Sequence, residues 1–212
     1  MLDTYLTVQL QGQAELIIQK SRFIGHIKRT ETEEEAQAFI KQVKKEHSQA
    51  THNCSAYLIG EHDQIQKAND DGEPSGTAGV PMLEVLKKNH LKDTTVVVTR
   101  YFGGIKLGAG GLIRAYSKAT SETLKATGIV KRQLVKNIAI TVDYPLLGKI
   151  ENELRQEDHL ITGIDYLEHV TVNVAVPVDQ VETFTNWIVD LTSDQAKIEQ
   201  DSDQYIEIPY HP

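Results

Sequence analysis

The segment from Asp70 to Tyr116 carries three neighbouring carboxylates (Asp70, Asp71, Glu73), two hydroxyls (Ser75, Thr77) and, further on, Arg100, Lys106 and Arg114. Eight of the chain's fourteen glycines lie between Gly72 and Gly111. In GGIKLGAGGLIRAY, Gly103, Gly104, Gly108, Gly110 and Gly111 stand between a strand-like run and a helix-like run, and no acidic residue occurs from Thr94 to Ser121. Free N–H groups at a helix start, with the positive end of its dipole, make a natural anion site. The segment could hold the phosphates of RNA or of a nucleotide. A tight strand-to-helix turn with solvated cations is the alternative that the same residues satisfy.

The loop DDGEPSGTAG offers oxygen ligands suited to Mg²⁺, partners for the nearby arginines, or ordinary turn duties. The reading adopted is a carboxylate–arginine network with no metal and no cofactor, in which His52, Asp70, Asp71, Glu73, Ser75, Thr77 and Tyr116 organise the site. A Cys with a nearby His can form a reactive thiolate, but Cys54 opens an apolar run, where a small buried thiol is usual. His47, His52, Cys54 and His62 lack a zinc spacing. Near the front, KSRF adds Arg22 to the cations of the anion site. Tyr57, Tyr101, Phe102 and Tyr116 are rings on which bases could stack.

Composition bounds these readings. A chain of 212 residues, 40% hydrophobic and 25% charged, is long enough for two folded domains and too apolar for a disordered one. No apolar run approaches the ~20 residues that cross a bilayer, and the first residues lack the basic-then-apolar pattern of a leader. A single cysteine excludes an internal disulfide, so a cytoplasmic location with no membrane contact is expected. The net charge of −8 is unevenly spread: residues 1–136 carry 19 Lys+Arg against 15 Asp+Glu, and residues 137–212 carry 3 against 15. An RNA partner should therefore meet the first part, while the acidic remainder suits solubility or a basic protein partner.

The elements that must position these groups follow from periodicity. AELIIQKSRFIGHIKRT alternates as one or two strands with a bend near Ser21 and Arg22. TETEEEAQAFIKQVKKEHSQ is a helix capped by Thr30 or Thr32, burying Ala36, Phe39, Ile40 and Val43. CSAYLIGEHDQIQKAND gives two strands about a turn at 60–63; Met82–Lys88 is helical, TTVVVTRYF is a buried strand, GGIKLGAGG a loop, and LIRAYSKATSETLKAT a helix stopped by Gly128. KRQLVKN (131–137) reads as a joint, placing a first domain at 1–133 and a second at 134–212. The second shows strand (138–144), helix (146–157), strand (161–167), strand (170–176), helix (181–191) and strand (196–200), the ferredoxin-like βαββαβ order. The expected class is α+β.

DDGEPSGTAG, VVVTRYFGGIKLGAGGL and RAY, with KSRFIGH and HNCSAYLIG, resemble the motifs of the IMPACT/YigZ family across roughly residues 15–125. The acidic tail is similar to the ferredoxin-like domain of bacterial members. The resemblance implies that the first domain has the fold of the second domain of a small-subunit ribosomal protein, shared with certain small-molecule kinases. It also implies a translation-associated regulator that binds RNA or the ribosome. Eukaryotic relatives compete for the activator of an initiation-factor kinase through an extra N-terminal domain, for which no room is expected before residue 15. An enzyme acting on a phosphorylated small molecule or nucleotide at the same site is the competing expectation, although no complete nucleotide-binding or nucleophile motif is present.

Overall fold

The computed structural model describes residues 1–210. The chain folds as two compact units. One comprises Tyr5–Lys131 with residues 208–210, and the other comprises Met1–Thr4 with Arg132–Glu207. Both mix helices with an antiparallel sheet, an α+β architecture.

The first unit begins in β1 (Thr4–Val8), whose Leu6 bridges Leu91 in parallel. β2 (Gln11–Ile18) and β3 (Ser21–Arg29) form a hairpin. Its turn is Gln19–Lys20, at φ of 45° and 65°, so the bend expected at Ser21 and Arg22 lies just before them. α1 (Glu33–Glu46), β4 (His52–Ile59), β5 (Ile65–Asn69), α2 (Gly79–Lys88), β6 (Thr94–Tyr101) and α3 (Gly108–Thr127) follow. The sheet order is β2-β3-β6-β4-β5, antiparallel throughout. α2 and α3 cover one face through Met82, Leu86, Leu112 and Tyr116, packed on Phe23, Cys54, Val96 and Val98. α1 covers the other through Ala36, Phe39 and Val43, against Tyr57 and Val97. A strand covered on both faces reads as a continuous apolar run rather than an alternation. That is why β6 is TTVVVTRY.

GAGG, expected in a loop, is instead the first turn of α3, which ends as anticipated before Gly128 at φ 85°. Glycine propensity argues against helix there, yet the sixteen residues behind it carry an apolar stripe strong enough to propagate the helix backwards.

Residues 131–137, read as a joint, lie inside one unbroken strand, β7 (Ile129–Val142), and the division between the two units falls within it, after Lys131. α4 (Tyr144–Gln156), β8 (Leu160–Tyr166), β9 (Val170–Pro177), α5 (Val181–Thr192) and β10 (Lys197–Tyr210) complete the βαββαβ order. β9 lies between β7 and β8, and β10 also pairs with β7. Inward residues Ile138, Ile140, Val172 and Val174 meet Ile150, Leu154, Phe184 and Ile188 in one core. β10 runs ten residues beyond the expected strand end at 200. The acidic residues Asp201 and Asp203, beyond the expected end, are part of the strand.

Candidate functional site

Register decides which of the candidate side chains meet. Arg100 on β6 is opposite Phe23 on β3 and His52 on β4, so these three share the α2–α3 face. Arg22, one residue before Phe23, is turned to the α1 face. There it is exposed, and its guanidinium grips Glu15 with bonds of 2.7 and 2.8 Å. Grouping Arg22 with Arg100 in one receptor is therefore corrected. Strand parity separates them.

Arg100 is not a free cation either. It is 5% exposed, its Nη1 donates to Glu73 Oε1 at 2.7 Å, and its guanidinium lies 5.5 and 5.4 Å from the rings of Phe23 and Phe102. Its Nε is buried without a hydrogen-bond partner among the described residues. Glu73 also accepts from the buried Tyr116 hydroxyl at 2.8 Å. Burial, then neighbouring Cys54 and Glu73, push the Tyr116 hydroxyl well above its ordinary pKa, so it stays a donor. His52 Nδ1–H donates to the Asp71 carbonyl at 2.8 Å, which leaves Nε2 as the free lone pair, 3.7 Å from Glu73 Oε2.

The other acids of the loop do structural work. Asp70 accepts the backbone N–H groups of Gly76, Ala78 and Gly79 at 2.8, 3.0 and 2.8 Å and so closes the loop onto the start of α2. Burial alone would raise its pKa, but these three donors hold it below its ordinary 3.8. Asp71 takes Lys44 at 2.6 Å and the Asn53 N–H at 2.6 Å. Thr77 is buried with its hydroxyl on the Pro74 carbonyl at 2.6 Å, and Ser75 is exposed. Cys54 Sγ lies 3.0 Å from the Asp70 carbonyl, and burial pushes its thiol up to about 12, so it is no thiolate nucleophile. Among the described residues, no three His, Cys, Asp or Glu side chains gather as a metal site.

A cleft of about 370 Å³ opens beside this network, lined by His52, Glu73 and Arg100, by Phe102 and Pro74, and by Lys106 with Gly108 at the start of α3. No side chain caps α3, and its first turn holds no acid. Gly108 sits at φ 69°, a conformation that glycine alone adopts cheaply. Gly110 needs no glycine for packing, because an added Cβ would meet nothing nearer than Arg114 Nη1 at 3.5 Å. Gly103 differs: its Cβ would overlap the Lys20 carbonyl, so it serves close backbone packing. Gly104 and Gly111 flank the cleft's lining without joining it, and Arg114 is exposed further along the helix. Among the described residues, Lys106 is the one expected cation that lines the cleft exposed and without an acidic partner.

Sequence reasoning passed over Thr51, Pro74, Leu107 and Ser21. Thr51 Oγ accepts the Phe102 N–H at 3.1 Å, and Ser21 Oγ accepts the Gly103 N–H at 3.3 Å, anchoring the loop before α3. Only the parity that places Ser21 opposite in facing to Arg22 could have flagged it.

Comparison with known proteins sets this site in a family. The Impact N-terminal domain profile matches residues 19–124, and that of a domain of unknown function, DUF1949, matches 140–195. IMPACT family member YigZ of Escherichia coli (strain K12) is 38% identical, with 82% of this chain and 87% of that protein aligned. A solved structure described as "Crystal structure of an hypothetical protein" superposes with a TM-score of 0.61 at 34% identity, covering 93% of this chain and 97% of that one. IMPACT family member YvyE of Bacillus subtilis (strain 168) is 56% identical over 98% of this chain and 95% of its own length. The chain belongs to the IMPACT family.

Proposed function

We propose that this chain is a translation-associated protein that binds RNA, or the ribosome through its RNA, by taking a phosphate-bearing nucleotide into the α3 cleft. The translational link rests on the family resemblance. The single observation that carries the binding mode is the start of α3: uncapped, free of acids, built of glycine and opening onto Lys106. Unpaired N–H groups with a positive dipole receive an anion without any further device. The half-exposed Phe102 ring at the cleft supports stacking of one base. With Arg22 and Arg100 both engaged by carboxylates, the contact is with one or two phosphates rather than a long backbone tract.

The test is binding of a labelled single-stranded RNA to the full chain across salt concentrations. The expected slope of log K against log salt is about −0.7 per phosphate contacted, hence shallow. Lys106→Glu is expected to weaken binding about tenfold or more, and unchanged binding would dismiss the cleft. A second reading, an enzyme for a phosphorylated small molecule, is favoured by one feature. His52 holds its Nε2 lone pair beside the Glu73–Arg100 pair, where it could take a proton. Binding of a mononucleotide as tight as that of RNA would favour it.

A further inference from the structure

The opposite side of the first unit carries a second built feature. α1 packs on β4 and β6, so β5, the last strand of the sheet, extends beyond its cover. Four of the five residues of β5 are exposed, and among the described residues no strand pairs with its far side. Lys67 is opposite Tyr57, which puts its side chain on the α1 face. Glu33, Gln37, Lys41 and Lys44 recur at helical spacing on the facing stripe of α1. Between stripe and strand runs a groove of about 630 Å³.

We propose that this groove takes an extended peptide of acidic character, which adds to β5 as a sixth strand. An open edge is a row of unpaired N–H and C=O groups that a peptide backbone satisfies and a nucleic acid does not. Charge selects the sign of the peptide. The one acid lining the groove, Glu33, already accepts from the Tyr57 hydroxyl at 2.6 Å, and Lys44 is held by Asp71. Among the described residues, Lys41 and Lys67 have no carboxylate partner. Side chains alternate along a strand, so every second residue of the guest would face α1, where acids meet Lys41 and Lys67. The intervening side chains would point to the other face. This surface is independent of the α3 cleft, so either can fail alone.

The experiment uses the full chain and a fluorescein-labelled peptide of about eight residues that alternates Glu with Val and Thr, read by fluorescence polarisation. A matched peptide with Lys for Glu is the counterpart. The acidic peptide is expected to bind and the basic one not. K41E/K67E should weaken the acidic peptide about tenfold or more, through loss of two exposed attractions and gain of two repulsions. Backbone pairing is read by N-methylating alternate residues. One phase of methylation should abolish binding and the other preserve it, because only alternate N–H groups face the edge. No binding of either peptide, indifference to K41E/K67E, or equal tolerance of both methylation phases would overturn the proposal. So would loss of RNA binding by K41E/K67E in a chain that binds no peptide.

Discussion

Two helices of the first unit begin in opposite ways. α1 starts closed: Thr32 Oγ accepts the Glu35 N–H at 3.2 Å, and the Glu35 carboxylate accepts the Glu31 N–H at 2.8 Å. Thr32 thus caps the helix, Glu35 reaches back to the residue before the cap, and Glu33, Glu34 and Glu35 all set negative charge against the dipole. α3 starts open, with no cap, no acid and glycine at three of its first four positions. Both helices pack on one sheet, and the open one is the longer, at 20 residues against 14. The fold can therefore tolerate a poor helix start where a long buried face compensates. α1 spends its first turn on its own stability; the first turn of α3 has no such device, which is what the proposed anion site requires.

The comparison is broken most severely from beneath. The start of α3 stands beside the buried Glu73–Arg100 pair, whereas the start of α1 is held by its own Thr32 cap. Glu73→Ala leaves Arg100 as an uncompensated buried charge and strips the Tyr116 hydroxyl of its acceptor. Losing one member of a buried pair costs about 3–5 kcal/mol. Urea unfolding of the variant is expected to show a loss of that order, with Glu73→Gln intermediate because it keeps both hydrogen bonds. A loss below about 1 kcal/mol would mean that the pair is open to solvent and that the cleft has no rigid floor.

A smaller effect separates the α2 start from the other two. Asp70, at the far end of the loop that leads into α2, supplies the cap that the helix's own N-cap residue lacks, through three backbone N–H groups. Its folded pKa lies below its unfolded value, so its contribution is complete above about pH 4 and disappears as pH falls through the folded value. Asp70→Asn is expected to cost about 2 kcal/mol at neutral pH and to flatten the acid limb of stability below about pH 4. The limb above it belongs to His26, whose folded pKa burial first and His47 second depress to about 4, joined by His159, whose pKa burial also lowers. Their unfolded forms take up protons as pH falls below about 6.5, so stability declines from there towards pH 4 in wild type and variant alike. An unaltered low-pH limb in Asp70→Asn would deny Asp70 its capping role.

Much of this is legible in the sequence, and the exceptions share a cause. Apolar periodicity locates α1, α3 and β6, and turn residues locate the break between β4 and β5. Motif spacing does not say which way a polar side chain turns. Arg22 and Arg100 look equivalent in sequence, yet strand parity buries one against Phe23 and exposes the other to Glu15. Glu73 looks like Asp70 and Asp71, but only Glu73 is drawn inward, by Arg100 and Tyr116. The full extents of β7 and β10 escape a reading of the sequence because charged residues such as Lys131, Arg132 and Asp201 hide a strand whose pairing is set by partners far along the chain. Local propensity is weak evidence for such strands.

The smallest predicted effect is the most discriminating, because it opens the closed helix start and closes the open one. Thr32→Ala removes a cap and should destabilise by about 1 kcal/mol. Gly110→Asp installs at the third helical residue of α3 what α1 already has: an acid against the dipole, in place of glycine. It also sets a carboxylate four residues before Arg114, a spacing that favours an ion pair. Space exists for it, since the added Cβ meets only the flexible end of Arg114. The expected gain is about 0.5–1 kcal/mol, or roughly 2–4 °C in Tm per kcal/mol for a chain of this size. Gly110 lies just beyond the lining residues Gly108 and Ala109, so the same carboxylate sets negative charge beside the proposed phosphate site, and RNA binding should fall as stability rises. A helix start shaped only by packing would give the gain in Tm with binding untouched. One kept open for an anion must give both, because the N–H groups that an acid neutralises are those the ligand uses.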